Sequence, residues 1–410
     1  MPSPMKFTSL AEDRMLGPPV EPLSVERSYP TDLTVVMPCL NEERTVGKCV
    51  ATALRAFHEM GVVGEVLVVD NGSTDESAAR ANQAGATLLS EPRRGYGSAL
   101  RRGCDEARGR FILMGDCDDS YDFSEMGRFI GPLRGGADLV IGNRFAGGIE
   151  PGAMPWLHRW IGNPGLSWLL TILCKTRIAD SQCGMRAFTR EAYDKMRLRT
   201  TGMEFASEMV VKSAAARLNV EEVPVTLRPD GRVRPPHLRS FRDGWRHLRL
   251  ILSCCPVFLF ILPGGLMAVS GMLAIGIAVI SGYGEFGEPF GPNFLYGGSM
   301  LAISGFHVLL LGLVATLHAH RSDPAFRGPR FEKALRMISV ERGLLVGTVL
   351  ASIGATVAMP VLSRWAQALA VPAPGNWILG GTLIMLGVET IFASFLVETI
   401  DSPHRRRDGR

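Results

Sequence analysis

The pattern of apolar and polar residues divides the chain into two parts. Up to about residue 250, short apolar runs alternate with helix-like stretches and polar turns. The rest of the chain contains long apolar segments at 255–281, 297–317, 343–363 and 377–397. A stretch of about 20 apolar residues matches the hydrocarbon thickness of a bilayer. The pattern therefore predicts a soluble domain followed by four transmembrane helices.

Within the first part, apolar runs rich in β-branched residues alternate with amphipathic runs. The expected strands are "LTVVMP" (33–38), "EVLVVD" (65–70), "RFILMGD" (110–116) and "ADLVIG" (137–142). Helices are expected from near Glu43 and near Asp75, with a third over "RGYGSALRRGCDEA". Strands that alternate with helices predict an α/β domain with a Rossmann-like, mostly parallel sheet and helices on both faces.

The basic residues between the apolar segments predict how the chain crosses the membrane. The 319–343 connection carries five arginines and a lysine, and the C-terminus reads "HRRRDGR". The 282–296 connection has no lysine or arginine, and 364–376 has only Arg364. Because basic loops stay on the cytoplasmic side, we expect a protein of the cell membrane with its soluble domain and C-terminus in the cytoplasm.

These patterns divide the chain into five expected parts. Residues 1–30 contain six prolines and no apolar core, so they are expected to be a flexible tail and not a signal peptide. The other parts are the soluble domain at 31–230, a basic juxtamembrane amphipathic segment at 231–252, the membrane region at 253–398 and a basic tail at 399–410.

Two stretches of the soluble part have a composition suited to the bilayer surface. Residues 154–174 are aromatic and apolar but too polar to span, which predicts a helix at the membrane interface. Residues 228–249 carry seven arginines, which favours anionic head groups or a phosphate ligand. The net charge of +4 does not indicate nucleic-acid binding, and eight cysteines in no metal-like spacing are expected to stay free thiols.

Polar, acid-bearing clusters follow three of the expected strands, as "PCLNEE", "DNGSTD" and "GDCDD". Ligands bind at the carboxyl ends of strands in sheets of this kind. Asp116 and Asp118 are spaced so that both carboxylates point the same way on an extended chain, where they repel unless a cation joins them. The alternatives are an acid/base couple or a capped turn. The strand-end position favours an Mg²⁺ or Mn²⁺ site, and Asp122 is expected to cap the next helix.

The "DNGSTD" cluster (70–75) allows two interpretations. Asp70 ends a strand, and Ser73, Thr74 and Asp75 can cap the helix that follows. These residues either build the turn alone or also accept hydrogen bonds from a base or a ribose.

Taken in order, the motifs "VVMPCLNEE", "VVDNGSTD", "RRGYGSAL" and "GDCDD" resemble the family 2 glycosyltransferases of the GT-A fold. The later motifs "GNRF", "DSQCGMRAF", "GMEFASEM" and "HLRSFRDGWRHL" resemble the polyprenyl-phosphate (dolichyl-phosphate) sugar synthases. Members of that group join a sugar from a nucleotide donor to a membrane lipid phosphate. The resemblance covers roughly residues 31–250.

The resemblance implies a set of site residues. The nucleotide sugar would be bound by Pro38, Asn41, Glu42, Asp70, Asp75 and Asp116. The metal, Mg²⁺ or Mn²⁺, would be held by Asp116 and Asp118. The catalytic set would be Asp118, Asp119 and Arg144, and the acceptor phosphate would be received by Arg144, Arg159, Asn163 and Arg234.

The chain departs from the family pattern at three positions. Asn71 replaces a second acid, and Ser120 stands where many members have a glutamine, which leaves the third metal ligand open. Asn163 replaces an acceptor-side serine of some members.

The reaction implied is an inverting transfer of a hexose from a UDP- or GDP-sugar to a polyprenyl (dolichyl or undecaprenyl) phosphate. A phosphate monoester has its second pKa near 6, so the acceptor oxygen is already anionic at neutral pH and needs no general base. Asp119 would then orient groups and would not abstract a proton.

Three other functions stay open at this point. A processive polysaccharide synthase would carry Q-x-x-R-W, but "WLHRW" (156–160) lacks the glutamine. A neutral lipid acceptor would require a true general base. A non-catalytic lipid transporter or scaffold would use His307 and Glu389, which otherwise face neighbouring helices. The four helices either anchor the enzyme or also assemble a homo-oligomer.

Overall fold

The computed structural model describes residues 29–174, 176–231, 240–282, 291–322, 339–367 and 375–408. Most of the expected tail at 1–30 and the predicted acceptor residue Arg234 lie outside the described residues.

The soluble part is built on one seven-stranded sheet with the order β3-β2-β1-β4-β6-β5-β7. Its neighbours pair in parallel except that β6 runs antiparallel to β4 and β5. This confirms the predicted mostly parallel α/β sheet. The strands are β1 Thr31–Cys39, β2 Gly64–Asp70, β3 Thr87–Ser90, β4 Gly109–Met114, β5 Leu139–Asn143, β6 Arg186–Thr189 and β7 Val220–Pro224.

Helices follow most of the strands, as the alternating pattern predicted. In the soluble part they are α1 Val46–Met60, α2 Ser77–Gln83, α3 Tyr96–Glu106, α4 Gly127–Arg134, α5 Arg144–Gly147, α6 Asn163–Cys174, α7 Arg190–Met196 and α8 Phe205–Ala215. Helix α1 begins three residues after the predicted Glu43, because the Thr45 N–H donates to the Glu42 carbonyl and closes a turn first.

The central strands are apolar along their length because helices cover both faces of the sheet. Val35 and Val36 of β1 and Ile112 and Leu113 of β4 are fully buried. Burying one such side chain stabilises the fold by about 1.5–3 kcal/mol. In the ladder, Cys39 of β1 pairs with Asp70 of β2, and β4 ends beside the middle of β1. The polar clusters that follow these strands therefore emerge along one edge of the sheet.

The last part of the chain contains four helices long and apolar enough to cross a membrane. A juxtamembrane helix, α9 Ser240–Cys254, leads into them. They are α10 Leu262–Ile280, preceded by a π-helical turn from Val257, α11 Pro292–Ser322, α12 Val340–Ala366 and α13 Gly375–Asp408. The spans Val257–Ile280, Pro292–Ala319, Val340–Ala366 and Gly375–Ile400 confirm the predicted number.

Glycines set the close approach of α10 and α11. Gly264 and Gly271 of α10 face Gly305 and Gly298 of α11, and both pairs are spaced seven residues apart. A Cβ added at Gly271 would lie 2.6 Å from the Gly298 carbonyl oxygen, so a larger residue would force the helices apart. Small residues at helix interfaces are the usual means of tight packing in membranes.

Helices α12 and α13 repeat this arrangement. Gly347 and Gly354 face Gly387 and Gly380, again seven residues apart in each helix. A Cβ at Gly347 would lie 2.6 Å from the Gly387 carbonyl oxygen. The membrane region thus consists of two hairpins with the same glycine spacing, although the chain repeats no longer motif.

One polar pair joins the two hairpins within the membrane. His307 of α11 and Glu389 of α13 approach to 3.6 Å between Nδ1 and Oε1. Each stands two residues after a packing glycine, Gly305 in α11 and Gly387 in α13, so the two side chains occupy equivalent positions. Ionisable groups inside a membrane are costly, and here each has the other as a partner.

We predict that His307 and Glu389 are energetically coupled. A double-mutant cycle with His307→Leu and Glu389→Leu isolates the pair from the separate gain of placing leucine in lipid. The expected coupling is about 0.6–1.7 kcal/mol, the range of interhelical hydrogen bonds in membranes. It is measured as the free energy of unfolding in mixed detergent micelles. A cycle of His307→Leu with Glu398→Leu serves as the control and should be additive, whereas additivity in the first cycle would contradict the prediction.

Candidate active site

The loops after β1 and β2 interlock through hydrogen bonds. The Asn41 N–H donates to Ser73 Oγ at 2.9 Å, and Asn41 Oδ1 accepts from the Thr74 N–H at 2.7 Å. Asn41 has a φ of 58°, a left-handed conformation that asparagine tolerates better than most residues. Two of the predicted clusters are therefore one structural unit, with Asn41 at its centre.

A second set of bonds holds the two predicted residues Glu42 and Asp75 in this unit. The Glu42 N–H donates to Ser77 Oγ at 2.6 Å, and the Asp75 carboxylate accepts from Ser77 Oγ at 2.5 Å. Partial burial acts in the opposite direction, but hydrogen bonds from Ser77 and from the Glu43 N–H lower the pKa of Asp75. Asp75 thus organises the loop as an anion, and its contact with a nucleotide stays a prediction.

Asp70 and Asn71, at the end of β2, shape the neighbouring loops. The Asp70 carboxylate accepts from the Gly72 N–H at 3.3 Å and the Ser73 N–H at 3.0 Å. The Asn71 amide donates to the carbonyls of Glu91 and Arg93 and accepts from the Gly95 N–H. Asn71, which replaces the second acid of the family pattern, therefore braces the 91–95 loop.

Asp116 directly follows the β4–Gly115 segment and is half-buried. The Tyr96 hydroxyl hydrogen-bonds with it, and burial followed by the Asp116 charge raises the pKa of Tyr96. A Cβ at Gly184 would lie 2.7 Å from Asp116 Oδ2, so a larger residue at 184 would displace the Asp116 carboxylate.

Asp118 and Asp119 have different surroundings. Asp118 is buried, and its Oδ1 accepts from the Ser120 N–H at 3.1 Å and from Ser120 Oγ at 2.5 Å. Ser120, at the family's glutamine position, therefore orients Asp118. Asp119 has a φ of 67° and forms an ion pair with Lys48 of α1. Sequence reasoning missed Lys48, which is one of several exposed polar residues on a helix.

The donor set at this loop suits a hard divalent cation. The described parts of the chain contain no group of three His, Cys, Asp or Glu side chains that could hold a metal. Asp116 and Asp118 supply two carboxylates, and Mg²⁺ is typically held by one or two carboxylates together with substrate phosphates. The residues present therefore fit a cation whose coordination is completed by a bound diphosphate.

Residues 228–231 lie across the acid loop, which is the segment 116–122 that follows β4. The Arg228 N–H donates to the Ser120 carbonyl at 3.0 Å, and the Gly231 N–H donates to the Asp118 carbonyl at 2.9 Å. The Arg228 guanidinium also pairs with Asp122 at 2.9 Å. Asp122 accepts from the Ser124 N–H and caps the short helical turn that follows, as predicted. The segment that leads toward Arg234 thus starts on the acid loop itself.

On the other side of the site, Arg144 forms a buried ion pair. Its Nε and one terminal nitrogen each lie 2.7 Å from the Asp180 carboxylate oxygens, and its backbone N–H donates to the same carboxylate at 3.0 Å. Arg144 is 8% exposed and Asp180 is fully buried. The sequence placed Arg144 in the site but not its partner, although Asp180 opens the "DSQCGMRAF" motif.

Arg159 and Asn163 lie on the helical segment at 156–174, which starts two residues after the helix that the sequence predicted at 154–174. The Arg159 guanidinium lies over the Trp160 ring at 5.4 Å, and Asn163 Nδ2 lies 3.5 Å from Met154 Sδ. Next to Arg159 in the chain, burial and then the positive charge of Arg144 lower the pKa of His158, so this segment runs close to Arg144. A joint role of the three predicted residues in binding the acceptor stays a prediction.

Large aromatic side chains stand exposed on this segment and on α9. Trp156, Trp160 and Trp168 on the first, and Phe241 and Trp245 on the second, are all at least 60% exposed. Aromatic residues with nearby arginines suit the head-group region of a bilayer.

A buried histidine on α9 was not predicted. His247 is 6% exposed, and its Nδ1 lies 2.8 Å from Ser207 Oγ of α8. Burial lowers the pKa of His247 to about 4, the Asp243 carboxylate acts in the opposite direction, and Arg186 lowers it further. His247 is therefore neutral at physiological pH.

We predict a pH-dependent contribution of His247 to stability. In the unfolded chain a histidine has a pKa near 6.5, so below that pH the unfolded state binds a proton that the folded state rejects. The contribution is complete above pH ~6.5 and is lost as the pH falls toward about 4, with a total on the order of 3 kcal/mol. His247→Asn should flatten this part of the curve of unfolding free energy against pH. Identical curves for both proteins would contradict it.

Comparison with known proteins places these features in a family. The family model described as glycosyl transferase family 2 matches residues 34–197. The model for the glycosyltransferase family 2 C-terminal transmembrane region matches residues 313–401.

Individual relatives agree with these matches. The low-salt glycan biosynthesis hexosyltransferase Agl6 of Haloferax volcanii is 36% identical over 384 residues, which is 92% of this chain and 91% of that protein. A dolichyl-phosphate hexose transferase of the same organism is 32% identical over 225 residues, 55% of this chain and 94% of that protein.

A solved structure is similar at a greater distance. Glucosyl-3-phosphoglycerate synthase from Mycobacterium tuberculosis, in complex with Mn²⁺, UDP and glucosyl-3-phosphoglycerate, aligns with a TM-score of 0.43 and 23% identity. The alignment covers 55% of this chain and 80% of that chain.

The full-length relative and the two family models confirm the resemblance seen in the sequence motifs. The chain belongs to glycosyl transferase family 2 and is a membrane glycosyltransferase with four transmembrane helices.

Proposed function

We propose that this enzyme transfers a hexose from a UDP- or GDP-sugar to a polyprenyl phosphate, with its soluble domain on the cytoplasmic side. One observation carries the proposal. In the five-residue loop 180–184, Asp180 at one end pairs with Arg144, and Gly184 at the other end lies against Asp116. A carboxylate pair suited to a cation and an arginine suited to a phosphate are thus held by one loop.

The donor half of the site is the edge formed by the loops after β1, β2 and β4. A cation held by Asp116 and Asp118 would neutralise the diphosphate that leaves as the sugar is transferred. Asp70, Asn41 and Glu42 lie in the interlocked loops beside it, where the resemblance places the nucleoside. Asp118 is held in one orientation by Ser120, so this carboxylate needs little rearrangement when the donor binds.

The acceptor half centres on Arg144. A lipid phosphate supplies its own anionic oxygen, so the protein has to align it and offset its charge. The Asp180 carboxylate accepts hydrogen bonds from Nε and one terminal nitrogen of Arg144. The other terminal nitrogen would donate to a phosphate oxygen. A lipid phosphate is also the acceptor named for the Haloferax dolichyl-phosphate hexose transferase.

The surroundings of Asp119 support a transfer without a protein base. Its carboxylate is already engaged in an ion pair with Lys48 of α1. An oxygen of the acceptor phosphate that attacks the anomeric carbon opposite the leaving diphosphate gives inversion in a single displacement. The exposed tryptophans at 156–168 and the arginines of α9 would keep this site at the membrane surface, where the lipid phosphate lies.

We predict that Asp118→Asn abolishes transfer because it removes a charged oxygen ligand where the cation would bind. The assay incubates membranes with polyprenyl phosphate and each of a panel of radiolabelled UDP- and GDP-sugars, with and without EDTA, and counts label in the extracted lipid. For the wild type we expect one sugar to give a chelator-sensitive lipid product. For Asp118→Asn we expect at least a hundredfold less product.

Asp122→Asn is the matched control, because Asp122 caps a turn in the same loop and should leave most of the activity. Near-normal turnover of Asp118→Asn would contradict the metal assignment. Label that appears in a neutral lipid or a polysaccharide would contradict the acceptor, and label that never leaves the nucleotide would favour a binding scaffold.

A further inference from the structure

The loop at 180–184 meets both halves of the site, and its middle is held by helices that lead to the membrane. The Ser181 N–H donates to Ser167 Oγ at 3.0 Å, and the hydroxyls of Ser181 and Ser167 lie 2.9 Å apart. Ser167 belongs to α6, the helix whose other face exposes Trp168. The first hydrogen-bonded connection of the loop therefore runs to α6, the helix that exposes Trp168.

A second tie runs through Gln182 and Ser207 to α9. Gln182 Nε2 donates to Ser207 Oγ at 3.2 Å, and Ser207 Oγ lies 2.8 Å from His247 Nδ1. Ser207 Oγ thus accepts from the Gln182 amide and shares a second hydrogen bond with Nδ1 of the neutral imidazole, in which the hydroxyl can act as donor or acceptor. Ser207 is fully buried and His247 nearly so, so water does not replace these bonds.

The backbone of the same loop is braced from within the domain. Arg186 is fully buried and donates to the carbonyls of Ser181, Cys183 and Ala206 at 2.6–2.8 Å. Arg186 thus sets the course of the loop, whereas His247 connects it to a different element. Helix α9 ends at Cys254, and the first membrane span begins at Val257.

We propose that His247 is a positioning residue, which acts through Ser207 and Gln182 to hold the 180–184 loop in register with the membrane-bound helix α9. The inference rests on the proposed function, since the loop is where the two substrates would meet. The proposal implies that α9 must pack against the soluble domain for Arg144 and Asp116 to lie at the correct distance from each other.

The role is chemical and specific to one ring nitrogen. An asparagine at 247 can place an amide atom near the position of Nδ1 and keep the bond to Ser207. An alanine leaves the buried Ser207 hydroxyl without that partner, which loosens its hold on Gln182 and the loop. If His247 only packed α9 against the domain, the lost side-chain volume would impair His247→Ala and His247→Asn alike.

The first test is kinetic and uses the full-length enzyme in lipid nanodiscs. For His247→Ala we expect a kcat about tenfold lower with the KM for the nucleotide sugar within about twofold of wild type, and for His247→Asn most of the kcat restored. His58→Ala, a histidine on the exposed part of α1, is the matched control and should leave both constants unchanged. Unchanged kcat in His247→Ala would overturn the proposal.

The second test needs no turnover. Hydrogen exchange of the backbone amides at 180–184, measured without substrate, should be faster in His247→Ala and near wild type in His247→Asn. Faster exchange across the whole sheet, or equal effects in both variants, would show a general structural role and overturn the proposal. If the wild type forms no lipid-linked sugar, the proposed function fails, and the exchange measurement still decides whether His247 holds the loop.

Discussion

The buried ion pair of Arg144 and Asp180 is the interaction on which the arrangement of the site depends. A guanidinium that is 8% exposed would be very unstable without an anion, and removing one partner of such a pair costs about 3–5 kcal/mol. The pair also fixes the distance between the turn after β5 and the loop before β6. Because that loop reaches Asp116 four residues later, the same constraint locates Arg144 relative to Asp116.

The loops at the sheet edge hold several carboxylates close together. Asp70, Asp75 and Asp118 each accept hydrogen bonds from backbone N–H groups or serine hydroxyls of their own loops. These bonds fix the directions of the three carboxylates. The loops are therefore arranged before a donor binds, and local hydrogen bonds offset part of the repulsion between the carboxylates.

Much of this could be predicted from the sequence because it follows from local patterns. Runs such as 33–38 and 110–116 are apolar throughout, which indicates strands buried on both faces, and long uncharged segments indicate membrane spans. The position of Asp116 and Asp118 after such a strand also predicted a cation site, and that role stays a prediction. Strands β3, β6 and β7 escaped detection because each has only four or five residues.

What the sequence did not predict are partnerships between distant residues. Asp180 is 36 positions from Arg144, and His247 is 40 positions from Ser207. Lys48 is 71 positions from Asp119. No periodicity links such residues, since their contact depends on how the strands and helices pack.

The central claim is that Arg144 receives the acceptor phosphate while the carboxylates serve the donor. The most direct measurement is the pair of KM values, for polyprenyl phosphate and for the nucleotide sugar, in Arg144→Lys. Lysine keeps the charge but lacks the planar fork that can bond Asp180 and a phosphate together. The account predicts that kcat/KM for polyprenyl phosphate falls at least about tenfold with the KM for the nucleotide sugar unchanged. An unchanged value for the lipid, or a loss confined to the nucleotide sugar, would contradict it.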